Sequence, residues 1–160
     1  MVDLDLELVA QPELLRLSLT APLGVDPAKS HQRLRVRFLT PTELKGTDAP
    51  EFGPLMARIR DRISTLRALY GPGPLDLDFR AFGERADRVR MTRCELHTVE
   101  EQRLSKGTGQ RHSLGGFTGF AEYEGAVAEF MPYLEAVRWT GVGRQTVWGK
   151  GEIGVEIVDA

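Results

Sequence analysis

The sequence contains a single cysteine and no long hydrophobic run. One cysteine, Cys94, cannot form a disulfide within the chain or contribute to a metal site made of several cysteines. It lies in a strand-like stretch, so we expect a buried, unreactive thiol. No apolar stretch approaches the ~20 residues of a membrane-spanning helix. Residues 1–5 are acidic where a signal peptide would be basic. These absences favour a cytoplasmic protein with no membrane contact.

Histidine is scarce, and neither sign of charge dominates. The three histidines, His31, His97 and His112, lack the spacing of a zinc site, so we expect no metal and no cofactor. The net charge of −2 argues against indiscriminate binding of nucleic acid. The middle of the chain, residues 33–119, nevertheless carries sixteen basic against eleven acidic side chains. A local phosphate-binding face is therefore compatible with the composition.

The most informative pattern lies near the end of the chain. Residues 141–151, here called the glycine-rich segment, hold four glycines and two cations in eleven residues. Glycine permits positive φ and close approach of another group. The polar side chains Arg144, Gln145, Thr146 and Lys150 supply donors suited to phosphate oxygens or a 2′-hydroxyl. The segment lacks the Gly-Lys-Ser/Thr of a P-loop and follows a helix. It is either a phosphate-contacting loop or a glycine-rich turn.

Two periodic stretches predict the first strand and the first helix. Residues 33–38 alternate arginine with apolar residues, which predicts a strand with one apolar and one arginine face. Apolar residues then repeat at helical spacing from Phe52 to Tyr70. The Gly-Pro-Gly-Pro sequence at residues 71–74 ends this helix.

The remaining elements complete a known arrangement. We predict a strand over 88–99 with a bulge near Arg93, followed by a hairpin tip at 107–109 and a strand over 113–123. A helix over 130–139 and a last strand from Ile153 follow. The order is that of the ferredoxin-like βαββαβ fold, an α+β architecture with two helices on one face of an antiparallel sheet. Alternating leucines (Leu15, Leu17 and Leu19) indicate an additional strand before it.

Order and motifs together resemble the CRISPR-associated endoribonucleases that cut precursor CRISPR RNA, within the RAMP superfamily. The similar stretches are residues 38–41 with Leu44 and Lys45, residues 103–119, residues 131–134 and the glycine-rich segment. The resemblance covers most of the chain, from about Arg33 to Val158. At Lys150 this sequence departs from the family, in which an aromatic residue is usual between the last two glycines.

The resemblance implies a domain organisation and a partner. Residues 1–32 would be an N-terminal extension, and residues 33–160 an RNA-binding domain, the second of two ferredoxin-like domains in the full-length family. CRISPR repeat RNA is the implied ligand. A first ferredoxin-like domain or other CRISPR-associated subunits are the implied protein partners. The usual catalytic histidine belongs to the first domain, so the resemblance assigns it to no residue of this chain.

The candidate RNA contacts fall on the glycine-rich segment and the preceding hairpin. They are Arg103, Lys106, Arg111, Gly141, Gly143, Arg144, Gln145, Gly149, Lys150 and Gly151. Metal-independent RNA cleavage needs a base, an acid and a cation, and histidine suits the first two tasks. His112, beside Arg111, is the one catalytic candidate, although it has no evident partner. The alternatives are a non-catalytic interaction subunit that binds a protein through Arg33, Arg35 and Arg37, and a domain that binds a small ligand.

Overall fold

The computed structural model describes residues 31–47, 49–100, 102–104, 111–113 and 115–158. Strands and helices follow in the order β1 His31–Thr42, α1 Phe52–Tyr70, α2 Phe79–Ala86, β2 Arg90–Val99, β3 Gln102–Leu104, β4 Arg111–Ser113, β5 Gly116–Ala126, α3 Met131–Thr140 and β6 Ile153–Val158. The predicted strand of alternating leucines and the predicted hairpin tip lie outside the described residues. So does Lys106.

The main sheet has four strands in the order β2-β5-β1-β6, and each neighbouring pair is antiparallel. This confirms the predicted ferredoxin-like fold. The alternation of β1 sets the two faces of the sheet: Leu34, Val36 and Phe38 are buried, and the intervening arginines lie on the opposite, open face. Ile59 of α1 and Leu134 of α3 share the core with these residues, so both helices pack on one face, as predicted.

The bulge predicted near Arg93 is confirmed by a register shift between Met91 and Arg93. Beyond it, Cys94 lies opposite Ala121, on the helix side of the sheet. The prediction that Cys94 is buried is wrong: its side chain is exposed, because β2 is the outer strand and the helices do not cover it. Partial desolvation and the charge of Glu51 raise the pKa of the thiol, which keeps it protonated near neutral pH.

The structure also differs from the prediction in one strand and one helix. The strand predicted over 113–123 is two strands, since β4 ends at Ser113 and β5 begins at Gly116. β4 pairs with β3 and forms a small separate sheet, here called the β3–β4 hairpin. The helix α2 was not predicted. The side chain of Asp78 accepts hydrogen bonds from the backbone N–H groups of Arg80 and Ala81 at its start.

Candidate functional site

The glycine-rich segment is held tightly against the rest of the protein. It leaves α3 at Gly141, makes a short 3-10 turn over Thr146–Trp148 and enters β6. Six of its eleven backbone N–H groups donate within the protein, those of Gly141, Val142, Arg144, Trp148, Gly149 and Gly151. A loop that uses its own N–H groups in this way has fewer left for phosphate. The segment is therefore primarily a turn that its own backbone hydrogen bonds stabilise.

Two glycines allow other backbone atoms to come very close. At Gly143, φ is +89°, and a Cβ atom would lie 2.5 Å from the carbonyl oxygen of Glu43. At Gly151, φ is +78°, and a Cβ atom would lie 1.9 Å from the carbonyl oxygen of Val142. Any larger residue would have to displace backbone at these positions. The interpretation of the glycines as structural thus accounts for both of them.

Lys150 is buried, although the sequence suggested a phosphate-binding cation. Its side chain is only 3% exposed. The Nζ atom donates to the carbonyl oxygen of Gly115 at 2.6 Å, to Oε1 of Gln145 at 2.9 Å and to Oε2 of Glu43 at 3.3 Å. An ammonium group has three N–H donors, and all three have acceptors here. In this conformation Lys150 has no donor left for a phosphate.

Arg144 has the opposite environment. Its side chain is 62% exposed, and Nη1 donates to Oε1 of Glu43 at 2.7 Å. The same carboxylate therefore accepts from the exposed arginine through one oxygen and from the buried lysine through the other. An exposed ion pair of this kind contributes little to stability and can be exchanged for another anion. Arg144 is therefore the cation of the segment that can contact a ligand while the segment keeps its fold.

Gln145 supports the buried lysine from a strained position. Its φ of 60° and ψ of 29° are left-handed, and among the described non-glycine residues it is the one with positive φ. Such a backbone costs about 1–2 kcal/mol for a residue with a side chain. The position brings the amide oxygen to Lys150.

A groove runs between the glycine-rich segment and the ends of the neighbouring strands. It has a volume of about 380 Å³, and Glu43, Thr98, Glu100, Gly115, Arg144 and Gln145 are among the residues that line it. A second groove of about 570 Å³ shares Glu43, Thr98 and Gly116 with it. The described charges of the first groove are one arginine and two carboxylates, so it is not strongly basic by itself.

The β3–β4 hairpin starts at the rim of this groove. β2 ends at Val99 and β5 begins at Gly116, and these two residues are paired across the sheet. In the hairpin, Arg103 pairs with His112, and Leu104 pairs with Arg111. The structure therefore brings two of the predicted hairpin cations, together with His112, onto adjacent strands next to the groove.

The three histidines lie on three different strands, β1, β2 and β4. His31 lies opposite Ala126, at the far end of β5 from the hairpin, which is roughly 30 Å along the strands. His97 is exposed on β2 and pairs with Thr118. No cluster of three potential metal ligands occurs among the described residues. No helix in the same part of the chain is long and apolar enough to cross a membrane.

The arginine face of β1 is neutralised by glutamates of the same sheet. Arg35 donates through Nε to Glu122 at 2.9 Å and through Nη1 to Glu156 at 3.1 Å. Arg37 also donates to Glu156, at 3.1 Å. The guanidinium of Arg35 lies 5.0 Å from the centre of the Phe120 ring. The predicted docking surface therefore has its charges largely matched internally.

Glu43 is the site residue that the sequence did not identify. It is the common acceptor of Arg144 and Lys150, and its carbonyl oxygen accepts from the backbone N–H of Arg144 at 3.0 Å. It lies within residues 38–45, but nothing in the sequence singled it out from its neighbours. More than a hundred positions separate it from both cations.

Comparisons with known proteins point to one family. The sequence profile of the family described as CRISPR-associated endoribonuclease Cas6 matches residues 36–153. A search among curated proteins found no match.

Solved structures show the same fold. The chain is 21% identical to Thermus thermophilus Cas6 with a TM-score of 0.55, and the match covers 78% of this chain and 53% of that one. A Cas6 product complex matches at 21% identity and a TM-score of 0.53, over 78% and 51% of the two chains. A partial Cas6-RT-Cas1–Cas2 complex matches at 11% identity and a TM-score of 0.58, over 84% and 24%. The chain thus spans about half the length of the first of these relatives.

Proposed function

Because the chain belongs to the CRISPR-associated endoribonuclease Cas6 family, we propose that it is an RNA-binding domain that takes part in processing CRISPR repeat RNA. The main support for this proposal is the length of chain that matches the family. It runs from the middle of β1 to the first residue of β6 and includes the whole glycine-rich segment.

The groove between Arg144 and the ends of β2 and β5 is the proposed RNA surface. Arg144 is exposed there, but Glu43 and Glu100 line the same groove. A single arginine against two carboxylates would bind a polyanion weakly. The hairpin cations Arg103, Lys106 and Arg111 are therefore a necessary part of the proposal: Arg103 and Arg111 lie on β3 and β4, which adjoin the ends of β2 and β5 at the groove, and Lys106 lies outside the described residues.

We assign different roles to the two cations of the glycine-rich segment. Arg144 exchanges its exposed pairing with Glu43 for an RNA phosphate, which gives a charge-assisted contact. Lys150 stays buried with its three acceptors. The contribution of the segment to RNA affinity is therefore one phosphate contact rather than two.

The proposed reaction is cleavage of the RNA without a metal. A base removes the proton of the 2′-hydroxyl, an acid protonates the 5′-oxygen that leaves, and a cation stabilises the charge on the phosphorane. His31 lies at the opposite end of the main sheet from the hairpin that carries His112, so His31 does not supply the second catalytic group. The resemblance places the usual histidine in a first domain, so this chain supplies binding and orientation.

Equilibrium binding tests the proposed function. The full chain is titrated against a fluorescent CRISPR repeat RNA and against an unrelated RNA hairpin of equal length. Tighter binding of the repeat RNA supports the proposal. Equal or undetectable binding of both RNAs contradicts it.

Arg144→Ala tests the proposed contact. We expect weaker binding and a salt dependence that is shallower by about 0.7–0.9 units of log Kd per log salt, because one phosphate contact is lost. Arg138→Ala is the matched control, since Arg138 is an exposed arginine of α3 that pairs with Glu135. If both variants bind like the unmodified chain, the segment is only a turn.

No observation favours the alternative function of a protein-docking subunit. That alternative places the partner on the sheet face that bears Arg33, Arg35 and Arg37. In the structure Arg35 and Arg37 are paired with Glu122 and Glu156 on the same sheet face.

A further inference from the structure

We infer that Lys150 is a positioning residue, whose buried ammonium fixes the point at which the β3–β4 hairpin joins the sheet. Gly115 is the residue that precedes β5, and Lys150 holds its carbonyl oxygen at 2.6 Å. The hairpin that carries Arg103, Arg111 and His112 enters the sheet through this residue. The relevance of this role of Lys150 to RNA binding rests on the proposed function. The contacts that Lys150 makes do not depend on it.

Three separate parts of the chain meet at the Lys150 ammonium. Glu43 comes from the turn after β1, Gly115 from the start of β5 and Gln145 from the glycine-rich segment. The backbone reinforces two of these connections. The N–H of Gly151 donates to the carbonyl oxygen of Pro41 at 3.2 Å, and that of Arg144 donates to Glu43. The Lys150 side chain connects the segment directly to Gly115.

The environment of Lys150 fits a structural cation better than a ligand-binding one. A buried ammonium is stable only when its donors are satisfied. Here a carboxylate balances the charge, and two neutral oxygens complete the set of acceptors. Removal of the buried ammonium would take a hydrogen-bond donor away from both the Gly115 carbonyl and the Glu43 carboxylate. The loss should therefore destabilise the start of β5 as well as the segment.

Lys150 stands at the position where the sequence departs from the family pattern. A side chain that enters the interior between Gly149 and Gly151 has to fill the space under the segment. Lysine does so with a stem of four methylene groups and an ammonium that reaches Gly115. In this chain the position is therefore a point of attachment for the hairpin.

Amide hydrogen exchange of the full chain without RNA tests the inference directly. Lys150→Met keeps the length of the side chain and removes its donors. We expect exchange at residues 115–117 to accelerate by on the order of tenfold or more. The centre of β1 should be unchanged. Lys45→Met is the matched control, because Lys45 is an exposed lysine in the turn after β1. Unchanged exchange at residues 115–117 in Lys150→Met would overturn the inference.

A salt series with repeat RNA separates positioning from direct contact. A positioning residue should lower the affinity and leave the salt slope unchanged. A fall of the slope by about 0.7–0.9 units would mean that Lys150 touches phosphate, and would overturn the inference. If Lys150→Met does not fold, Lys150→Arg is compared in both measurements, since it keeps the charge but presents a planar set of donors. If the unmodified chain binds no repeat RNA, the proposed function fails, and the exchange measurement still decides on Lys150.

Discussion

At the scale of single residues, the glycines of the glycine-rich segment differ in what they do. Gly143 and Gly149 have similar backbones, with φ of +89° and +82°. A Cβ atom at Gly143 would meet the carbonyl oxygen of Glu43, whereas a Cβ atom at Gly149 would have nothing within 4 Å. The two positions therefore separate conformational strain from steric exclusion.

Gly143→Ala should destabilise the protein more than Gly149→Ala. We expect Gly149→Ala to cost about 1 kcal/mol, which is the strain of a left-handed alanine. Gly143→Ala should cost roughly 1–3 kcal/mol more, because backbone has to move away from the new methyl group. Urea unfolding of both variants measures the difference. Equal losses would show that Gly143 and the turn after β1 are not in close contact.

The buried tyrosine Tyr123 makes stability sensitive to alkaline pH. Its hydroxyl donates to the carbonyl oxygen of Pro50 at 2.6 Å, and burial raises its pKa well above the ordinary value. A phenol with a raised pKa contributes fully below the unfolded-state pKa of about 10, and this contribution is lost as the pH rises further.

Tyr123→Phe should lower the free energy of unfolding by about 1 kcal/mol at neutral pH, because a buried hydrogen bond is lost. It should also reduce the fall in stability between about pH 9 and 11. Part of the fall should remain, since burial also raises the pKa of Tyr133. Tyr70→Phe is the control, because Tyr70 is 85% exposed. A steep alkaline loss that Tyr123→Phe leaves untouched would contradict this account.

At the scale of elements, sequence periodicity predicts the helices and strands that are long and bury a single face. β1 and α1 each bury a regular apolar stripe, so their faces followed from the spacing alone. The bulge in β2 followed from a change of parity at Arg93. The helix α2 has only eight residues and buries Phe82 and Ala86, which is too short a stripe to show a helical period.

The N-cap of α2 is a testable part of this element. The carboxylate of Asp78 accepts from the N–H groups of Arg80 and Ala81, both at 3.0 Å. Asp78→Ala should destabilise the protein by about 1 kcal/mol. The control is Asp76→Ala, two residues before the cap and exposed. The two variants are compared by thermal unfolding, and equal midpoints would mean that the cap contributes nothing.

At the scale of the whole molecule, the fold was predictable and the site was only partly so. The predicted order of elements implies a ferredoxin-like sheet, which the strand pairing confirms. The sequence also predicts that the glycine-rich segment is either a phosphate-contacting loop or a turn. What the sequence could not provide was the partner of each cation, because Glu43 and Gly115 reach the segment only through the folded sheet. Arg144 and Lys150 are equivalent candidates in the sequence, but in the structure Arg144 is exposed and Lys150 is buried.

The isolated chain should cut CRISPR repeat RNA slowly or not at all. The resemblance places the catalytic histidine outside it, and the described strands keep His31 far from the hairpin. Cleavage is followed on denaturing gels with a chelator present. Efficient cleavage that His112→Ala abolishes and His97→Ala leaves intact would contradict this expectation and place the catalytic site in this domain.

Hydrogen exchange with and without repeat RNA tests the central claim most directly, because it reports both binding and its location. We predict slower exchange in residues 141–151 and in the adjoining residues 115–117 when repeat RNA is added. An unrelated hairpin at the same concentration should protect these residues less. Protection confined to the open face of the sheet around Arg35, or no protection anywhere, would contradict the account.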